Sequence, residues 1–178
     1  MKMLPTLAAG LLLATAYPAT AGHHEAGHHQ ASTIVETAMA SSQHQTLVAA
    51  VKAADLAGAL SGSGPFTVFA PTDQAFDGLP EGTVQTLLEP GNKAKLQAVL
   101  TYHVVSGRVS AADLVGLIGK NGGSAELTTL QGGVLTARLD GDSVILTDEN
   151  GGMATVVAAD LAASNGLIHV TDAVSLPG

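Results

Sequence analysis

The sequence predicts an α+β domain. Helical periodicity dominates its first half and short β-rich segments dominate its second, so helices and strands are segregated rather than alternating. Turn chemistry cuts the second half into hairpin-length pieces, and no internal repeat with a period of about 20–50 residues makes the chain an array.

The chain has 178 residues, and its start reads as an export signal. Met1-Lys2 is a short positive start, residues 7–16 (LAAGLLLATA) are an apolar run too short to span a bilayer, and Ala19-Thr20-Ala21 has the small-x-small form of a cleavage site. Removing residues 1–21 leaves 157 residues with six basic side chains against fifteen acidic ones. That length suits one domain with its own core, residues 32–178. The acidic balance disfavours nucleic acid as a partner. There is no cysteine, which excludes disulfides, thiolate metal sites, thiol catalysis and a lipoprotein anchor. The expected location is secreted, periplasmic or extracellular, with no membrane span in the mature chain.

Residues 22–31 (GHHEAGHHQA) have almost no large apolar side chains and read as a flexible tail. Two histidine pairs, His23-His24 and His28-His29, make it a metal-ligand candidate for copper, nickel or zinc. If cleavage follows Ala21, the amine of Gly22 and the His24 imidazole can join two backbone amides around Cu(II) or Ni(II). The competing reading is a solvated polar tail with incidental affinity and no cofactor.

From Thr33 the apolar spacing turns helical, through Ile34, Val35, Ala38 and Met39 and again through Leu47, Val48, Val51 and Ala54. Leu56, Ala59 and Leu60 extend this region until Gly62, Gly64 and Pro65 end it. Residues 66–70 (FTVFA) lie between two prolines and read as a strand. Thr72 can cap a short helix through Phe76, with Asp73 at the helix start where a carboxylate meets free N–H groups. Residues 83–88 form another helix, and Asn92 is expected to cap the next, through Leu96, Val99 and Leu100. Residues 103–105 should leave that helix as a strand, and Ser110 should cap a helical turn over 111–115. Residues 125–130, 134–139, 144–147, 154–159 and 167–174 are β-rich, with Gly132-Gly133 and Asp140-Gly141-Asp142 as hairpin turns. The last of these is nearly all apolar or β-branched, which places it centrally in a sheet. The three phenylalanines, Phe66, Phe69 and Phe76, fall within eleven residues and read as a core anchor.

No catalytic constellation emerges. Residues 60–64 (LSGSG) are no nucleophile elbow and residues 116–121 (GLIGKN) are no P-loop. Asp140, Asp142, Asp148 and Glu149 do not follow the order of a calcium loop and read as solvated hairpin ends. His103 and His169 sit among apolar strand residues and read as hydrogen-bonded structural groups. The expectation is a non-enzyme.

Three blocks carry a family resemblance: residues 64–76 (GPFTVFAPTDQAF), the YHVV of residues 102–105, and residues 165–177 (NGLIHVTDAVSLP). In order and spacing they resemble the fasciclin domain family, of the secreted single-domain bacterial kind, over about residues 32–176. The resemblance implies a β-wedge of antiparallel strands with helices packed around it. It also implies a binding or adhesion module that contacts a surface, matrix or partner protein. Some animal members use a Tyr-His motif and a nearby Asp-containing helix in integrin recognition. The matching positions here are Tyr102-His103 and Asp113-Leu114, although Ala111-Ala112 departs from the family's usual residues before the Asp. The alternative function is that of an exported metal-binding protein acting through Gly22, His23, His24, His28 and His29.

Overall fold

The computed structural model describes residues 32–178. The export-signal reading of residues 1–21 and the histidine tail of residues 22–31 lie outside the described residues. Three short helices come first, α1 (Ile34–Ala40), α2 (Gln45–Ala53) and α3 (Ala57–Leu60). Thr33 opens α1 with a capping box in which its hydroxyl accepts from Glu36 N and the Glu36 carboxylate accepts from Thr33 N. Strand β1 (Phe66–Pro71) leads into α4 (Asp73–Asp77), where the Thr72 hydroxyl accepts from Ala75 N as expected. Helices α5 (Thr83–Leu88) and α6 (Lys93–Tyr102) follow, then β2 (Val104–Ser106) and α7 (Ala111–Lys120). Strands β3 (Ser124–Thr128), β4 (Val134–Asp140), β5 (Ser143–Thr147), β6 (Met153–Ala163) and β7 (Gly166–Thr171) complete the chain.

Four local expectations are corrected. His103 is the C-cap of α6 rather than the first strand residue, because its backbone N–H still bonds to the Leu100 carbonyl. Asn92 makes no side-chain bond to its own helix; its amide donates to the Thr86 carbonyl at 2.8 Å and so closes α5 instead. Helix α7 runs five residues past Val115 to Lys120, since Leu114 and Ile118 bury one face while Gly116 and Gly119 lie on the exposed one. Strand β6 continues to Ala163 across two register shifts, with Asp160 at φ 58° inside the second.

Among the described residues the seven strands form one sheet in the order β2-β1-β7-β6-β5-β4-β3. A bridge between Val105 and Thr129 brings the two ends together, so the sheet is nearly closed. It is mixed rather than wholly antiparallel: β1 and β7 run parallel, from Phe66 opposite Gly166 to Pro71 opposite Thr171. A parallel pair requires a long crossover, and here everything between Pro71 and Gly166 supplies it. Strand β7 lies centrally, as its composition requires, with all six residues buried.

Strand pleating then divides the interior into two cores. Val68, Ala70, Val104 and Ile168 face helices α1, α2, α3 and α6 through Ile34, Leu47, Val51, Leu60 and Leu100. Phe69 and Val105, one residue along, face the opposite way and pack with Leu114, Ile118, Leu127, Leu135 and Leu146. Phe69 is 1% exposed and stacks on the His169 ring at 5.4 Å between centroids. Phe69→Ala is expected to cost about 3–5 kcal/mol from lost burial and the cavity left behind. Denaturant unfolding checks this; a midpoint equal to that of the wild type would take Phe69 out of the core.

Candidate functional site

The Tyr102-His103 pair closes α6 with both side chains turned inward, Tyr102 fully buried and His103 3% exposed. The Tyr102 hydroxyl donates to the Val134 carbonyl at 2.8 Å and accepts from Glu149 N at 3.2 Å. Burial raises its pKa, with Glu149 and Asp148 adding to the effect and the Glu149 N–H opposing it. His103 Nδ1 lies 2.7 Å from the Val99 carbonyl, and its Nε2 receives the Ser175 N–H at 3.0 Å. An amide can only donate, so Nε2 is bare and the ring proton is on Nδ1. Burial lowers the His103 pKa against the opposing pull of the Val99 carbonyl and Asp148, so the ring is neutral at pH 7.

Around this pair the loop after β5 clasps the C-terminal segment. Asp148 Oδ1 accepts from Asn150 N and Gly152 N, and its Oδ2 accepts from Leu176 N at 2.9 Å. Glu149 accepts from Val134 N and Gly178 N, and the Asn150 amide donates to the carbonyls of Leu176 and Pro177. The solvated reading of Asp148 is therefore corrected: the carboxylate is buried because three backbone N–H groups replace its water. Asp140 and Asp142 are exposed hairpin residues.

The second expected pair is divided in role. Leu114 is fully buried in the same core as Tyr102. Asp113 is exposed, but its carboxylate accepts from the Ser110 hydroxyl at 2.7 Å and from Ser110 N at 3.0 Å, forming the capping box of α7. Those two bonds, the hydroxyl first, lower its pKa. As placed here, Tyr102, His103 and Leu114 offer no side-chain surface to a partner. The structure brings Tyr102 and Leu114 together as core.

His169 is likewise internal, its Nε2 donating to the Val109 carbonyl at 2.8 Å and its Nδ1 accepting from Asp160 N. Asp73 lies at the start of α4 but serves another helix, accepting from Thr46 N at 2.8 Å and Gln45 N at 3.3 Å at the head of α2. Burial pushes its pKa up, yet those bonds and the nearby His44 outweigh it and hold the carboxyl low. Among the described residues no group of three or more His, Asp or Glu is placed to hold a metal ion. Gly22, His23, His24, His28 and His29 lie outside the described residues. Sequence reasoning missed His44, which is buried although it stands in the polar run SSQHQ with no apolar neighbour to signal it.

A family model for the fasciclin domain matches residues 42–177. The chain belongs to the fasciclin domain family. It is 51% identical over 147 residues to Protein sll1483 of Synechocystis, covering 83% of this chain and 74% of that one. It is 36% identical over 115 residues to the immunogenic protein MPB70 of Mycobacterium bovis, covering 65% of this chain and 51% of that one. Human periostin is 32% identical over 129 residues, covering 72% of this chain but 14% of periostin. In fold, the chain is similar to a FAS1 domain pair from the insect cell adhesion molecule fasciclin I, with TM-score 0.70 and 19% identity. That match covers 80% of this chain and 50% of the insect one. No helix among the described residues is long and apolar enough to cross a membrane.

The fasciclin Tyr-His pair thus acts here as a buried latch, and its chemistry sets a pH dependence. The folded state holds His103 neutral, so it binds fewer protons than the unfolded chain. The resulting stability is fully present above the unfolded value of about 6.5 and is lost as pH falls below it towards the lowered folded value. His103→Ala is expected to cost about 1–3 kcal/mol at pH 7.5, because the buried Ser175 N–H loses its acceptor. The same substitution should flatten the loss of stability as pH falls below about 6.5. Denaturant titrations at several pH values test both; a slope unaffected by the substitution would remove His103 from the acid response.

Proposed function

We propose that this fasciclin domain is an exported binding or adhesion module that contacts a surface, matrix component or partner protein. The observation that carries the reading is the apolar outer side of β6. Met153 is 68% exposed, Val157 58% and Leu161 41%, and residues 157–162 are exposed without interruption. The one charge in β6, Asp160, accepts from Ala111 N at 2.9 Å and so helps fix the head of α7. A run of exposed apolar side chains on a chain of net charge −8 is where a partner gains most by excluding water. The export signal over residues 1–21 supports a periplasmic or extracellular setting, and the missing catalytic motifs support a non-enzyme. Tyr102, His103 and Leu114 serve this function by holding the fold, and Asp113 by starting α7.

Replacing Met153 and Val157 together by Lys tests the surface. Capture of the partner from native extracellular material is expected to fall at least tenfold while the melting temperature stays within a few degrees, since both side chains are already in water. Undiminished capture by the double variant would move the contact surface elsewhere.

A second reading, metal binding by the tail, rests on the sequence Gly22-His23-His24. Cleavage after Ala21 would give a free amine two residues before an imidazole, the donor set that square-planar Cu(II) or Ni(II) accepts with two deprotonated amides. Zinc would need the looser His28-His29 pair as well. The mature protein is expected to bind one Cu(II) tightly and progressively less well as pH falls, because the ligands must shed protons. His24→Ala should remove the site and His28→Ala should leave it. N-terminal sequencing followed by copper titration checks this; a chain that starts at Gly22 yet titrates like one starting at Ser32 has no such site.

A further inference from the structure

Three of the four asparagines in the chain precede glycine: Asn121-Gly122, Asn150-Gly151 and Asn165-Gly166. That dipeptide allows a reaction within the main chain. The glycine nitrogen bonds to the asparagine side-chain carbon Cγ, the Cγ–Nδ2 bond breaks, and the glycine amide proton leaves with Nδ2 as ammonia. One water then adds across either C–N bond of the cyclic imide. The product is aspartate, or isoaspartate with the main chain routed through Cγ. The attack needs an amide side chain free to turn, a following N–H free of other bonds, and an intervening peptide able to rotate.

The fold withholds these conditions from two of the sites. Asn165 accepts from Ile34 N at 3.0 Å and donates to the carbonyls of Leu60 and Gly62 at 2.7 and 2.9 Å. Gly166 is buried and pairs with Ala163 where β6 turns into β7. Asn150 donates to the carbonyls of Leu176 and Pro177 at 3.1 Å each, and Gly151 N donates to the Asp148 carbonyl at 3.1 Å. Asn121 differs on every count. It is the exposed C-cap of α7, where its own N–H bonds to the Leu117 carbonyl and Gly123 N bonds to the Ile118 carbonyl. Neither the Asn121 side chain nor Gly122 N has a hydrogen-bond partner among the described residues.

The backbone at Asn121 can also reach the reacting geometry. Asn121 sits at ψ 17° and Gly122 at φ 78°. Ring closure must bring the Asn121 Cβ and the Gly122 nitrogen together about the Cα–C bond, so ψ has to leave its resting value. Turning the intervening peptide plane does this with both flanking Cα atoms in place, because ψ of Asn121 and φ of Gly122 change in opposite senses. Glycine accepts φ of either sign, and the space beside Gly122 is open. We propose that Asn121 is a site of self-catalysed deamidation in the folded domain, while the fold protects Asn150 and Asn165. The product puts a negative charge at the C-terminal end of α7, where the helix dipole disfavours it.

The test follows each asparagine by peptide-mapping mass spectrometry while the folded protein is held in mildly alkaline buffer. Conversion of amide to acid is expected at Asn121 at least about tenfold faster than at Asn150 or Asn165. In denaturing urea the three rates should converge, since each dipeptide is then equally free. Gly122→Ala should slow Asn121 at least about tenfold in the folded protein and leave the other two rates unchanged, because alanine opposes both the positive φ and the turn of the peptide plane. Comparable rates at the three sites in the folded protein, or an Asn121 rate no greater than that of Asn92, which precedes lysine, would overturn the site. Rates that keep their folded ratio in urea would trace the difference to neighbouring residues and overturn protection by the fold.

Discussion

The parallel pairing of β1 with β7 is the constraint on which the rest of the domain depends. It joins the first strand to the last, residue by residue from Phe66–Gly166 to Pro71–Thr171. Two strands held in this way at the centre of a sheet have both faces covered, so alternate residues of β1 must serve different cores. Phe69 goes one way while Val68 and Ala70 go the other. The junction is tight: a Cβ on Gly166 would run into the Phe66 carbonyl, which is why β7 opens on a glycine. Asn165 completes it by accepting from Ile34 N and donating to the carbonyls of Leu60 and Gly62, which fixes α1 and the end of α3 against the same strands.

With β1 and β7 in place, the remaining problem is polar. The end of α6 enters the interior with Tyr102 and His103, and the C-terminal segment returns over it with its own backbone N–H groups to satisfy. One solution serves both. His103 accepts Ser175 N, Asp148 accepts Leu176 N, and the Tyr102 hydroxyl joins the loop after β5 to β4. Each member supplies a bond another element lacks, and removing one leaves a buried group unpaired. Burial of the Tyr-His pair follows from this arrangement.

Much of the fold was legible in the sequence because its signals are local. The Thr72 cap, the span of α5, the two hairpin turns and the central position of β7 all follow from neighbouring residues. What was not legible depends on partners distant in the chain. Asp73 looks like a first-turn carboxylate of α4, and only the approach of α2 turns it to Gln45 and Thr46. Asp148 looks like a solvated turn residue until Leu176 arrives. The parallel sense of β1 and β7 is invisible to any periodicity, since a strand buried on both faces reads alike in either direction. For the candidate site, the Tyr-His pair was found by resemblance, while its burial required the fold. His44 gave no signal at all, because its burial comes from α1 and the sheet and not from its polar neighbours.

Burial of the Tyr-His pair changes where recognition has to be sought. A side chain acts on a partner only through surface it presents, and Tyr102, His103 and Leu114 present almost none in this fold. The two most exposed large apolar residues among those described, Met153 and Val157, lie instead along β6, where the strand leaves β5 after Thr155 and pairs with β7 from Val156 onward. Two register shifts against β7 follow, and the second contains Asp160 in a left-handed conformation. From there Asp160 bonds Ala111 N through its carboxylate and His169 Nδ1 through its own N–H. The irregular strand is thereby pinned from behind by the same core that buries Phe69, His169 and Leu114. Rigid support behind an exposed apolar strip favours binding, because little side-chain or backbone freedom remains to be lost when a partner covers it.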